Sequence, residues 1–172
     1  MNKLDFDKLS LQDALDLAII IEEDARDRYE ELADQLEKHR TADAARFFKA
    51  MVANEDRHAE QLKAHRKQVC GDVPVKIDRS LVPELETTDY DEARAFMSPH
   101  KAFEVAYANE TRAHNFYALA LKKVKDAKVK QLFTTLVAEE KEHQAMIKAA
   151  MAKLPPEDQT NPDDFGDDPV AQ

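Results

Sequence analysis

Two Glu-x-x-His runs carry the chemistry in this sequence: Glu55 to His58, and Glu140 to His143. On a helix, residues three apart share a face, so each run can offer a carboxylate and an imidazole to one ligand. Such a mixed set suits iron or manganese, and the lack of thiolates argues against a structural zinc site. A lone Glu-x-x-His is a weak signal, but these two sit in matching contexts. Phe48 stands seven residues before Glu55, and Phe133 seven before Glu140. The segments 48–62 and 133–147 align without a gap. Two more acids match in the same way. Glu22 is followed at i+7 by Tyr29, and Glu110 at i+7 by Tyr117. Glu23 and Glu139 flank ligand candidates but fall off the seams described next.

Four long helical segments must position these residues. The periodicity predicts helices at about 11–39, 42–69, 99–125 and 127–153. Ser10, Thr41 and Ser98 are the expected N-caps, Pro99 takes a first helical position, and Gly71 stops the second helix. Along each helix an apolar stripe alternates steps of three and four, as a packed seam requires. The first runs Leu15, Ala18, Glu22, Ala25, Tyr29, Leu32, Leu36, and the second Phe48, Met51, Glu55, His58, Leu62. The third runs Phe103, Ala106, Glu110, Ala113, Tyr117, Ala120, Val124, and the fourth Val129, Phe133, Leu136, Glu140, His143, Ile147. Each stripe is broken by an acid in mid-helix. His39 and His65 lie about two turns or more beyond the acids and read as bundle-end residues.

Helices 1 and 2, and helices 3 and 4, are joined by a few residues, which makes antiparallel neighbours. Residues 71–97, with Pro74 and Pro83, are long enough to cross the length of the bundle and leave room for a short helix near 89–96. The expectation is an all-α four-helix bundle of two hairpins joined by that crossover, spanning residues 1–153. Residues 154–172 form an acidic tail, expected to be disordered. Hairpin 1–2 is a weak repeat of hairpin 3–4. A two-fold arrangement brings all four acids to one level. Unpaired buried charges cost several kcal/mol each. The seams supply too few cations to neutralise four acids, and metal ions resolve the conflict.

Composition narrows the function further. The formal charge is −10, and the tail holds Glu157, Asp158, Asp163, Asp164, Asp167 and Asp168 with no Lys or Arg. No basic footprint for nucleic acid is present. No apolar run approaches the length of a membrane span, and the N-terminus lacks the apolar core of a signal peptide. Cys70 is the only cysteine, which excludes an internal disulfide and a CxxC metal knuckle. A cytoplasmic setting is the expectation, with Cys70 a free thiol of no assigned role.

The string from Glu22 to Ala33, EEDARDRYEELA, together with VANEDRH and VAEEKEH, resembles the ligand helices of the rubrerythrin branch of the ferritin-like superfamily. The resemblance covers roughly residues 11–153. One Glu from each of two helices and Glu-x-x-His from each of the other two is the known ligand inventory of ferritin-like di-iron proteins. The resemblance implies two Fe ions per chain, with Mn as the other candidate, and a centre that reacts with peroxide or oxygen. It also implies a homodimer. By analogy, Glu55 and Glu140 bridge the metals, while Glu22, Glu110, His58 and His143 each bind one. Tyr29 and Tyr117 are placed to hydrogen-bond the carboxylates, although filling the core is an equal reading of both. The alternative function is iron handling, as a ferroxidase or store, or metal binding without turnover. Two features depart from the family. The four-cysteine rubredoxin domain of typical rubrerythrins is missing, so any electron donor is a separate protein. Ala113 stands where the family tends to carry a further Glu, and the neighbouring His114 reads as a surface or interface residue in preference to a replacement ligand.

Overall fold

The computed structural model describes residues 5–38, 41–77 and 98–156. Four long helices make up the described bundle: α1 (Leu11–Lys38), α2 (Ala42–Cys70), α3 (Pro99–Leu121) and α4 (Ala127–Met151). A 3-10 turn at Phe6–Lys8, which the periodicity does not announce, precedes α1. Phe6 packs its ring 5.5 Å from that of Phe116 and closes this end of the bundle. The expected short helix at 89–96, the residues beyond Ile77 in the crossover, and the tail from Glu157 lie outside the described residues, as does His39.

Each helix end has a local cause. Ser10 Oγ accepts from the Asp13 amide at 3.2 Å while Asp13 accepts from the Ser10 amide at 3.2 Å, a reciprocal cap that starts α1. Ser98 accepts from the Lys101 amide, and Pro99 follows it at the first turn of α3. Asp126 starts α4 by accepting from Lys128 and Val129. Thr41 precedes α2 but its side chain makes no capping bond. Its hydroxyl donates instead to the Leu36 carbonyl at 2.7 Å, closing the end of α1. Gly71 ends α2 with φ at +72°, a left-handed conformation that favours glycine. α3 ends at Leu121, short of Lys125, because the next amides bond three residues back (Lys122 to Leu119, Lys123 to Ala120).

α1 packs along α2, and α3 along α4, with smaller contacts from α1 to α3 and α4. The seam residues are buried, apart from Ala25, His58 and Ala113, which are partly exposed. The apolar core falls into two clusters. One joins the start of α1 (Leu15, Ala18) to the ends of α2 and α3 (Leu62, Tyr117), the turn after α3 (Val124) and the start of α4 (Val129, Phe133). The other joins the end of α1 (Leu32, Leu36), the start of α2 (Phe48, Met51), the start of α3 (Phe103, Ala106) and the end of α4 (Ile147). Shared clusters of opposite helix ends make each hairpin antiparallel. Phe48, Phe103 and Phe133 are fully buried, each contributing roughly 1.5–3 kcal/mol by removal from water. The break between the clusters falls at the acids in mid-helix.

Near one end an ion pair between a buried acid and a partly buried arginine holds the beginning of the crossover. Asp16, buried on α1, accepts from Arg66 of α2 and from the Lys76 amide. Arg66 also donates to the Val73 carbonyl at 3.0 Å, and Gln12 to the Pro74 carbonyl at 3.0 Å. The segment after Gly71 is thereby pinned back across α1 and α2.

Candidate metal centre

The polar layer between the two apolar clusters is made of Glu22 on α1, Glu55 and His58 on α2, Glu110 on α3, and Glu140 and His143 on α4. Glu22, Glu55, Glu110, Glu140 and His143 are all buried, at most 5% exposed. His58 is the most accessible, with 12% of its side chain open to solvent. The seam spacing explains the convergence. Each acid occupies a position that would otherwise hold a core aliphatic, so packing four seams together brings four carboxylates to one level.

The contacts cross helices. His58 Nδ1 lies 3.5 Å from Glu22 Oε2 and 3.8 Å from Glu55 Oε2. His143 Nδ1 lies 3.2 Å from Glu110 Oε2 and 3.3 Å from Glu55 Oε1, reaching both hairpins. The two imidazoles stack, with centroids 5.2 Å apart and planes within 8°. Two groups offer converging ligand atoms: Glu55, His58 and His143, and Glu110, Glu140 and His143. His143 belongs to both. Glu22 joins through His58 rather than through either group. Among the described residues His114 is in neither group, and its Nδ1 lies 3.2 Å from Asn115 Oδ1.

Electrostatics make this layer costly without a counter-charge. Burial, followed by the charge of Glu22 and a hydrogen bond with it, holds the Glu55 carboxyl well above the ordinary carboxylate range. Burial, then Glu110, does the same to Glu140. Burial opposes the charged form of His143, but the hydrogen bond and charge of Glu110 outweigh it and raise that imidazole. The polar residues buried as a whole among those described include no Lys or Arg, while Arg28, partly exposed, has its Nε and Nη1 out of solvent. Glu55 Oε1 and His58 Nδ1 have no hydrogen-bond partner. Hard oxygen donors, two imidazoles and lone pairs left unused in a buried layer are what divalent cations such as ferrous or manganous ions take up. The residues present fit a metal centre.

The two tyrosines differ. Tyr29 donates its buried hydroxyl to Glu110 Oε1, across to the other hairpin. Tyr117 is fully buried, and its hydroxyl has no hydrogen-bond partner. Burial first, then the charge of Glu22, keeps the Tyr117 phenol protonated well beyond its usual range. The flanking acids differ too. Glu23 is partly buried and makes a 3.0 Å ion pair with Lys63. Glu139, set aside by the seam pattern, is half-buried, and burial raises its pKa against the pull of His58. Seam spacing could not find it, because it enters from a neighbouring helix face. Its place directly before a ligand candidate was the available signal.

Two openings reach the layer. A narrow cleft between α1 and α3 is lined by Glu22, Glu55, Asn109, Glu110, Ala113 and Glu140, together with Ile21 and Ala25. Ala113 thus borders the carboxylates. A wider groove between α2 and α4 has His58 and Glu139 in its lining, and His65 as well. His65 is therefore a groove residue rather than only an end residue. No helix among the described residues is long and apolar enough to cross a membrane.

Comparison with known proteins agrees with this architecture. A family model described as rubrerythrin matches residues 13–151. The crystal structure of an uncharacterized conserved protein from Magnetospirillum magnetotacticum MS-1 superposes with a TM-score of 0.73 at 28% sequence identity. The match covers 86% of this chain and 97% of that one. No curated protein matches the chain.

Proposed function

This chain belongs to the rubrerythrin family, and from that premise we propose that it is a di-iron oxidoreductase whose substrate is peroxide or oxygen. The observation that supports this reading is the buried layer itself: four carboxylates and two imidazoles converge, with no lysine or arginine among the described buried residues. Glu55 and Glu140, together with Glu22, His58, Glu110 and His143, would hold the two ions. A pair of ferrous ions bound there would supply the two electrons that, with two protons, take peroxide to water.

The protein residues have separate tasks. Tyr29 fixes the orientation of Glu110 by donating to Oε1. Glu55 and Glu140 hold protons in the metal-free bundle and must release them when cations bind, so loading weakens as pH falls. The apolar clusters above and below exclude bulk water. A separate protein is the proposed electron donor, the protein is proposed to act in the cytoplasm, and a homodimer is the proposed assembly.

The test begins with metal analysis and an optical spectrum of the protein as isolated, followed by peroxide consumption with a chemical reductant. Two irons per chain and reductant-dependent peroxide loss are the expected results. Ferric mineral accumulating beyond two irons per chain, without peroxide turnover, would move the function to iron storage. A metal-free protein that binds no added ferrous or manganous ion would overturn the metal centre.

A further inference from the structure

The cleft between α1 and α3 offers about 10 Å³, room on the scale of a single water molecule. Its lining consists of the four carboxylates, three aliphatic side chains and one amide, Asn109. Carboxylates accept hydrogen bonds and aliphatic groups make none, so Asn109 holds the only side-chain N–H in that lining. The residue is buried, at 9% exposure. Arg112, one turn along α3, donates to Asn109 Oδ1. A guanidinium only donates, so this bond fixes which edge of the amide is the oxygen. The other edge, Nδ2, is buried and has no partner in the protein.

A buried amide left without a bond is costly, and a cation gains nothing from an N–H donor. The partner that suits this edge is an acceptor of very few atoms. Hydrogen peroxide fits, because its lone pairs accept from the amide while its O–H groups donate to carboxylate oxygens. We propose that Asn109 binds the oxidant, its Nδ2 donating a hydrogen bond to one oxygen of hydrogen peroxide in this cleft. The inference rests on the peroxide reading above and adds the residue that holds the substrate. The cleft, rather than the wider groove between α2 and α4, is then the oxidant's place. All four carboxylates line the cleft, whereas the groove meets His58 and Glu139 but none of the four.

The full chain is loaded with iron, oxidised, and titrated with azide, a small anionic acceptor whose binding is read from the optical spectrum. Asn109→Asp keeps the size of the side chain and the acceptor for Arg112 but loses the N–H donor, and Asn109→Leu loses both. Ala113→Val narrows the cleft from a second residue of its lining. Each should bind azide about tenfold more weakly than the wild type, as loss of one hydrogen bond or of fit would give. The kcat/KM for hydrogen peroxide should fall by about the same factor. Thr135→Trp, which fills the groove between α2 and α4 from an exposed position, should change azide affinity by less than about twofold. Iron per chain should stay at the wild-type level in every variant. Wild-type protein that takes up no azide, Asn109 variants that bind it undiminished, or a loss of iron that accounts for the loss of azide overturns the inference. So does Thr135→Trp weakening azide as strongly as the Asn109 variants. If azide follows the expected order and hydrogen peroxide is not consumed, the binding role of Asn109 stands and the peroxide reading fails.

Discussion

The two hairpins carry the same ligand types at the same spacing, yet they surround them differently. In the first hairpin His58 is partly open to a groove, and the residue before Glu55 is Asn54. In the second, His143 is buried and the residue before Glu140 is the half-buried Glu139. Tyr29 of the first hairpin reaches across to Glu110, whereas its counterpart Tyr117 finds no partner. The lesson is that a repeat of ligands does not make two equal metal positions. Each position is set by the groups around it, and those come from the opposite hairpin as often as from its own.

The largest effect should come from exchanging the two histidines for alanine. His143 belongs to both candidate ligand groups and His58 to one. His143→Ala should therefore lose most bound metal, while His58→Ala should retain about half, as a ligand lost from one of two sites would dictate. Metal titration of the two variants decides it. Equal losses would mean that the hairpins hold equivalent sites and that the asymmetry ends at the side chains.

A smaller effect is expected on the metal-free bundle. Replacing Glu22, Glu55, Glu110 and Glu140 together by Gln removes mutual repulsion and keeps their shape. The melting temperature at pH 7 without metal should rise by about 5 °C, the equivalent of roughly 1–2 kcal/mol in a chain of this size. A clear fall would show that the four acids are not clustered in the interior. The wild-type pH dependence follows from the same groups. The folded-state values of Glu55 and Glu140 are raised. The folded bundle then holds protons that the unfolded chain has released, so their contribution is full below the ordinary glutamate range and is lost as pH rises through the raised values. Metal-free protein should accordingly gain stability from this pair as pH is lowered from neutral toward about 5. The Gln variant should lack that slope, which melts across the pH range will show.

Next come the tyrosines. Tyr29→Phe removes a hydrogen bond to a carboxylate and should cost about 1.5–3 kcal/mol. Tyr117→Phe removes a buried hydroxyl that makes no bond, and should be neutral or slightly stabilising without metal. Denaturant unfolding of the pair measures the contrast. Equal costs would show that Tyr117 finds a partner in solution and that the hairpins are more alike than the side chains indicate.

The smallest effect lies at the hairpin turns. Asp126 caps α4 through two amides, while Thr41 caps nothing with its side chain. Asp126→Ala should cost about 1 kcal/mol. Thr41→Ala loses only the bond to the Leu36 carbonyl and should cost about half as much. If Thr41→Ala proves the more damaging, the end of α1 depends on that hydroxyl more than α4 depends on its cap.

Much of this was legible along the chain because helices obey local rules. Apolar steps of three and four, caps at Ser10 and Ser98, and glycine at 71 set four helices before any packing is known. Acids placed in those stripes announce a polar layer, since a seam position becomes interior once the helices associate. Only the tertiary structure decided what surrounds that layer. It alone showed that Glu139 lines a groove beside His58 while Glu23 pairs with Lys63, and that Tyr29 is bonded while Tyr117 is not. It also showed that Thr41 serves α1 rather than α2, and that a groove between α2 and α4 reaches His58. Periodicity assigns a residue to a face of its own helix. The distance from one helix to the next, and the space left between them, depend on how all four pack, which no single helix encodes.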